Sequence, residues 1–263
     1  MDHFFRWIAK HQRVVRFSLA LALGCCLGIV RIKTGMSVFL TVALVLWGAI
    51  LVSLAVNYSF MRFQKRALKI MTDQCDPDPF LHEMQTQVSY GLTPILDTML
   101  RINLALAHYH KGSVQIAMDI MKHIPYDQKR KTNIAIKTIY YNNLSVFLTD
   151  LGDYDGAEEA YGHFMELVNG KIRKAFVKQY PNTIPMAEAE HLYRTGEYAA
   201  ALEKANETHP THTQGKVETA LFRARCAIAL SAHNAARQDL NYVIENGNKL
   251  AAVDKAWELL MKL

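Results

Sequence analysis

From Thr34 to Met61 the chain runs through "TGMSVFLTVALVLWGAILVSLAVNYSFM" without one charged side chain. A helix crosses a bilayer with roughly 20 apolar residues, and core helices of soluble proteins seldom run this far uncharged. A second charge-free stretch, "FSLALALGCCLGIV" from Phe17 to Val30, lies between Arg16 and Arg31. It is short by itself, but flanking arginines snorkel to the interface and extend its reach. Only "RIKTG" joins the two. The pattern predicts a transmembrane helical hairpin, with helices over about 15–32 and 36–58. Two other readings compete: a pair of buried core helices, or a lipoprotein-like signal at "LALGCC". Leu23 fits such a cleavage site poorly, and cleavage would leave the longer apolar run almost at the new N-terminus.

Charge is distributed to match. Residues 1–72 hold ten Lys and Arg against the single acid Asp2, while the remainder holds twenty against 23 acids. The formal net charge of +6 is therefore a +9 segment followed by a −3 segment. The basic excess flanks the apolar runs, which is the signature of membrane topology and not of a phosphate-binding face, so no nucleic-acid partner is expected. Arg6, Lys10, Arg13 and Arg16 precede the first run, and Arg62, Lys65, Arg66 and Lys69 follow the second. Only Arg31 and Lys33 lie between. The positive-inside rule predicts both termini in the cytoplasm, in an integral protein of a bacterial plasma membrane that contacts lipid through residues 1–72. The four cysteines have no metal or redox spacing and read as free thiols of a reducing compartment.

Beyond residue 72 no strand alternation stands out. Apolar residues return every three or four positions, as in "ILDTMLRINLALAHY" and "AIKTIYYNNLSVFL". "RFQKRALKIM" continues the second apolar helix until "DQCDPDPF" breaks it, because Pro77 and Pro79 cannot continue a helix interior. Asp78 before Pro79 and Thr93 before Pro94 read as helix starts, with a third near Asp127. The organisation predicted is a membrane anchor over 1–72 and a helical-repeat domain over 73–263.

The repeat emerges by counting from Gly152. A small residue, Ser145, lies seven before it and Ala157 five after, with Leu144 and Tyr161 one further back and nine after. The same offsets give Ala105, Leu104, Ala117 and Met121 around Gly112, and Ala189, Glu188, Ala201 and Ala205 around Gly196. Around Ser231 they give Ala224, Arg223, Ala236 and Leu240. Small residues on consecutive helices let the backbones approach, and the Gly or Ser marks the turn, where Gly tolerates positive φ. "YYNNLSVFLTDLGDYDGAEEAYGHFMEL" and "AEAEHLYRTGEYAAALEKA" are the clearest copies. "LRINLALAHYHKGSVQIAMDIM" and "ALFRARCAIALSAHNAARQDL" are weaker ones.

This pattern, over roughly residues 94–245, resembles the tetratricopeptide repeat family. The resemblance implies an all-α fold in which the repeats stack as a right-handed α-solenoid behind the membrane hairpin. "LAAVDKAWELLMKL" would then close the last repeat's apolar face. The departures are plain. The turns are 40, 44 and 35 residues apart, Tyr141 is the one early aromatic of a first helix, and the loop proline is absent or displaced, as at Pro125 and Pro210. A helical bundle without true repeats is the competing reading.

"LTDLGDYDGAEEAY", Leu148 to Tyr161, looks like a calcium loop but fails as one. With Gly156 as the loop glycine, Leu151 and Gly162 occupy the first and last ligand positions, and neither offers a side-chain oxygen. Asp153 and Asp155 read as caps of the following helix. No phosphate-loop, dinucleotide, zinc-protease or nucleophile-elbow motif is present. His108 and His110 bracket Tyr109 on different helix faces and read as partly exposed helix-end histidines; His209 and His212 lack a third ligand nearby. We expect no catalytic residue, no metal and no cofactor, and an enzyme is the least favoured class.

In the tetratricopeptide family the first helix of each pair lines a peptide groove, and asparagines nine residues before the turn often hold the ligand backbone. By that resemblance the groove carries Asn103 and Asn143, with Leu106, Tyr109, Val146, Glu190, Tyr193 and Arg225 on the same face. The full set of basic residues that clamps a C-terminal carboxylate in chaperone-binding relatives is missing, and the asparagines serve equally well as interhelical bonds. Two basic stretches, with Lys129, Arg130 and Lys131, and with Lys171, Arg173, Lys174 and Lys178, read as solvated faces; the second could also lie on an anionic leaflet. The function expected is a membrane-anchored scaffold or adaptor that binds a protein or peptide partner. The alternative is a structural subunit of a transport or export complex assembled through its hairpin. Oligomeric state is left open.

Overall fold

The computed structural model describes residues 2–124 and 134–263. Pro125, the helix start near Asp127, and Lys129, Arg130 and Lys131 lie outside the described residues. Among those described there are fourteen helices and no strand, and the chain divides into two compact units, residues 1–67 and 68–263.

The first unit holds α1 (Asp2–Lys10), α2 (Gln12–Thr34) and most of α3 (Val38–Gln74). α2 and α3 are long and apolar enough to cross a membrane. Only 6% and 0% of their most apolar windows is buried within the chain, so they are not the core helices of a globular fold. Both helices exceed the spans expected, because amphipathic and basic turns continue them beyond the apolar stretch. Gly35, at φ 67, ends α2 with its N–H donating to Arg31 O, and Ser37 Oγ accepts from Leu40 N at the start of α3. Gly48 has no side chain to run into Leu23, so the two helices approach there. α1 packs on the basic end of α3. Asp2 pairs with Arg62 and Arg66 at 3.4 and 3.5 Å, Arg62 lies over Phe5, and Arg6 lies over Phe63.

α3 ends where the prolines require, and Cys75 turns the chain at φ 54. α4 (Asp78–Val88) begins one residue earlier than the sequence suggests. Pro77 is its N-cap and Asp78 its first residue, so the Asp78 carboxylate does not cap; Asp76 Oδ1 accepts the Asp78 N–H at 3.1 Å. The next helices are α5 (Pro94–His110), α6 (Val114–Lys122), α7 (Ile134–Asp150), α8 (Tyr154–Val168) and α9 (Arg173–Gln179). They are followed by α10 (Thr183–Arg194), α11 (Tyr198–Asn206), α12 (Thr213–Ala229), α13 (His233–Asn246) and α14 (Ala251–Leu260). α5 starts at Thr93–Pro94 as expected, with Thr93 O accepting from Asp97 N.

Four hairpins, α5–α6, α7–α8, α10–α11 and α12–α13, share one turn. Gly112, Gly152, Gly196 and Ser231 take φ of 83, 79, 87 and 58. Each donates to the carbonyl three residues back, and the next residue donates five back: Ser113 to His108, Asp153 to Leu148, Glu197 to Leu192 and Ala232 to Ala227. This paired bonding satisfies carbonyls a helix end leaves open, and it requires the left-handed residue. The small residues lie buried where the helices touch: Ala105 with Ala117, Ser145 with Ala157, Ala189 with Ala201, and Ala224 with Ala236. Ser145 Oγ also donates to Ala157 O at 3.0 Å. Asp153 caps α8, its Oδ1 accepting from Gly156 N, and Asp155 sits in the first turn.

α9 accounts for part of the wide spacing between Gly152 and Gly196. It was not foreseen in the sequence; it buries Phe176 against Phe164, Val168 and Ile184 and exposes Lys174 and Lys178. α14 buries Leu250 and Ala256 against Val217, Leu240 and Val243, as a closing helix should. It also reaches α5, and the chain before it returns to the start of this unit. Lys249 N donates to Cys75 O at 3.1 Å, Asn248 Nδ2 donates to Gln74 O at 2.8 Å, and Lys249 Nζ pairs with Asp76 at 2.7 Å. Lys111 and Lys249 bracket Asp78 at 2.6 and 3.2 Å.

Candidate functional site

The first helix of each hairpin lines a cavity of about 1290 Å³, α5 by its last turns and α10 and α12 along most of their length. α14, the end of α3 and the "THPTH" segment complete the wall. The helices position it through the small-residue contacts: once Ala105, Ser145, Ala189 and Ala224 face their own partner helices, residues one position on point about 100° round the helix, toward the cavity.

Of the eight residues expected to line a groove, Leu106, Tyr109, Asn143, Val146, Glu190, Tyr193 and Arg225 line this cavity. Asn103 does not. The cavity wall on α5 is Leu106, Tyr109 and His110, near the helix's C-terminal end, and Asn103 is half-buried one turn before it.

Polar pairs cross the cavity from helix to helix. Lys255 Nζ on α14 bonds Asp150 of α7 at 2.5 Å and lies 5.5 Å from the Tyr109 ring centroid. Tyr109 stacks on Phe147 with centroids 4.9 Å apart. Burial, with the Asp150 carboxylate beside it, drives the Tyr109 hydroxyl well above its ordinary pKa. His110 is buried, against the exposure expected of a helix-end histidine. Its Nδ1 is 3.1 Å from Glu218, while Gln214 Nε2 is 3.1 Å from its Nε2. An amide N–H donating to Nε2 leaves Nδ1–H to donate to Glu218. Burial pushes Glu218 upward, but His110, Gln214 and Lys255 outweigh it and hold the carboxyl below its usual range. Glu190 is the opposite case: burial lifts it above the usual range despite Arg225 at 4.0 Å. The Arg225 guanidinium lies over the Tyr193 ring at 4.7 Å.

His110, Asp150, Glu218 and Lys255 escaped the sequence reading because each owes its place to a helix distant in sequence. Asp150 had a signal, as the one aspartate of "LTDLGDYDGAEEAY" lying before the turn and so unable to cap α8. A second cluster, also unforeseen, joins α8 to α10. Glu158 bonds His191 and Arg194, both at 2.6 Å, Arg194 Nη1 donates to Thr149 at 3.1 Å, and Tyr161 stacks on His191.

Among the described residues no group of three His, Cys, Asp or Glu side chains is arranged to hold a metal ion. His209 and His212 line the cavity rim, with His212 at 3.3 Å from Asp73. Cys25, Cys26, Cys75 and Cys226 are free thiols, and burial pushes Cys75 up to about 11 and Cys226 up to about 12.

These features define an all-helical protein: one unit of four like hairpins around a largely apolar cavity crossed by polar pairs, and another with two helices of membrane-spanning length and composition. No family model, no curated protein and no solved structure matches the chain.

Proposed function

We propose that this is a membrane-anchored scaffold whose cytoplasmic, tetratricopeptide-like repeat unit receives a segment of a partner protein in the cavity. The supporting observation is Asn143: it lines the cavity, is 8% exposed, and its Nδ2 has no partner among the described residues. A buried amide donor left unmade is costly, and a carbonyl of an incoming chain would satisfy it. The repetition of one turn geometry across four hairpins supports a solenoid reading, with α14 narrowing the concave face into a chamber. On this reading α2 and α3 are the transmembrane pair, and confinement to the bilayer surface raises the local concentration of membrane partners.

The test is cross-linking in native membranes followed by affinity capture of the full chain. A specific partner is expected, and Asn143→Ala should weaken its capture by about tenfold, the loss of one buried hydrogen bond. Capture unaffected by Asn143→Ala would remove the cavity from the reading. In the same vesicles, a cysteine placed at Ser37 should label from the outside only, and one at Asn169 from the cytoplasm only. The reverse labelling would overturn the topology.

A further inference from the structure

Two polar side chains in the cavity carry atoms with no hydrogen-bond partner among the described residues: Asn143 Nδ2 and Glu190 Oε2. Of the other carboxylates in the lining, Lys255 answers Asp150, His110 and Gln214 answer Glu218, and Glu258 is exposed to solvent. Among the described residues the one ion-pair partner of Glu190 is Arg225, with Oε1 4.0 Å away and beyond hydrogen-bond reach, and that guanidinium is engaged over Tyr193. The groups facing Glu190 are Tyr109 from α5, Asp150 from α7, Arg194 from α10, Arg225 and Cys226 from α12 and Lys255 from α14. Even with three cations among them, burial keeps its carboxyl above the ordinary range. Glu190 Oε2 thus has cations near it but, among the described residues, no N–H within hydrogen-bond reach.

We propose that the cavity receives a basic side chain, Lys or Arg, from the partner segment, with Glu190 as its counter-ion and Asn143 Nδ2 donating to a carbonyl of the same segment. This deepens the peptide-binding reading above and rests on it. An ammonium or guanidinium brings several donors on one charge, which is what a buried carboxylate with a vacant oxygen requires. A neutral segment leaves Glu190 unanswered, and an acidic one meets Asp150, Glu190 and Glu218 together. Both vacant atoms are closed to water in the free protein, so binding requires the two side chains to turn into the cavity when the occupant enters. A volume of about 1290 Å³ holds a long side chain and its adjoining backbone. Because the counter-ion must be ionised, binding strengthens as pH rises through the Glu190 titration and weakens below it.

The experiment uses the full chain in lipid nanodiscs to select short peptides from a random pool. The expected result is enrichment of Lys or Arg at one position. Replacing that residue by norleucine or citrulline should weaken binding to the wild-type chain by about tenfold, the scale of one charge-assisted contact. Glu190→Gln should weaken the basic peptide by a similar factor and leave the norleucine peptide unchanged. Enrichment of neutral or acidic peptides, or equal binding of the basic peptide to Glu190→Gln, overturns the cation assignment and leaves the groove standing. No enrichment at all removes both. The helical circular dichroism of Glu190→Gln is compared with wild type. Should the variant unfold, the norleucine substitution and the pH dependence, both read on the wild-type chain, decide the matter.

Discussion

Ser231 holds at φ 58 the turn that Gly112, Gly152 and Gly196 hold at 83, 79 and 87. A residue with a Cβ pays about 1–2 kcal/mol to sit in that region. Ser231→Gly is therefore expected to stabilise the unit by up to about 1 kcal/mol, because the gain is offset by the greater freedom of Gly in the unfolded chain. Gly152→Ala is expected to cost about 1–2 kcal/mol, since no atom crowds the site and the strain of positive φ alone acts. Chemical unfolding of the full chain in detergent measures both, and shifts of the same sign would contradict the shared turn geometry. At this scale the sequence was highly legible. The offsets from Gly152 located the buried small pair where the two helices of each hairpin touch, because a close backbone approach admits only small side chains. It missed His110, whose burial depends on Gln214 and Glu218 of a helix more than a hundred residues away.

At the scale of elements, the breaks at Pro77–Pro79 and the start at Thr93–Pro94 were readable because proline acts locally. α9 was not, since seven residues with one buried aromatic give too little periodicity to separate helix from loop. Its tertiary contacts give it a role. Phe176, 4% exposed, meets Phe164 edge-on at 6.1 Å and fixes the step from the second hairpin to the third. Phe176→Ala should cost about 3–5 kcal/mol through lost burial and the void left behind. Hydrogen exchange should show the loss first in residues 164–184. A cost under about 1 kcal/mol would mean that α9 is a loosely attached linker.

For the whole repeat unit, the decisive contacts join its beginning to its end. Lys249 reaches Asp76 and Asp78, Lys111 also reaches Asp78, and Lys255 of α14 reaches Asp150. Hydrogen bonds from Lys111 and Lys249 hold the Asp78 carboxyl below its usual range, and Glu218 is held low as well. A carboxyl whose folded pKa is depressed stabilises fully above its unfolded value and loses that contribution as pH falls through the folded one. The thermal midpoint should therefore drop as pH falls below about 4. Glu190, with its raised folded pKa, opposes this only by favouring the fold slightly as pH falls through its own titration. Asp78→Asn should cost under about 1 kcal/mol at neutral pH, because the pairs are exposed, and should flatten the acid limb of the profile. An unchanged acid limb would show that the closure contributes nothing to stability.

The amino-acid sequence by itself determined whatever depends on neighbours within a turn or two. The uncharged runs fix two helices of spanning length, the prolines end α3, and three glycines and Ser231, with their flanking small residues, fix four hairpins. What only the tertiary structure decided is how distant helices meet: that α14 returns to α5, that Asn103 stays outside the cavity while Asn143 enters it, and that Asp150, His110, Glu218 and Lys255 converge. The reason is physical. Local turn and packing rules act over a few residues, whereas the position of a side chain in a cavity sums the rotations of every hairpin between.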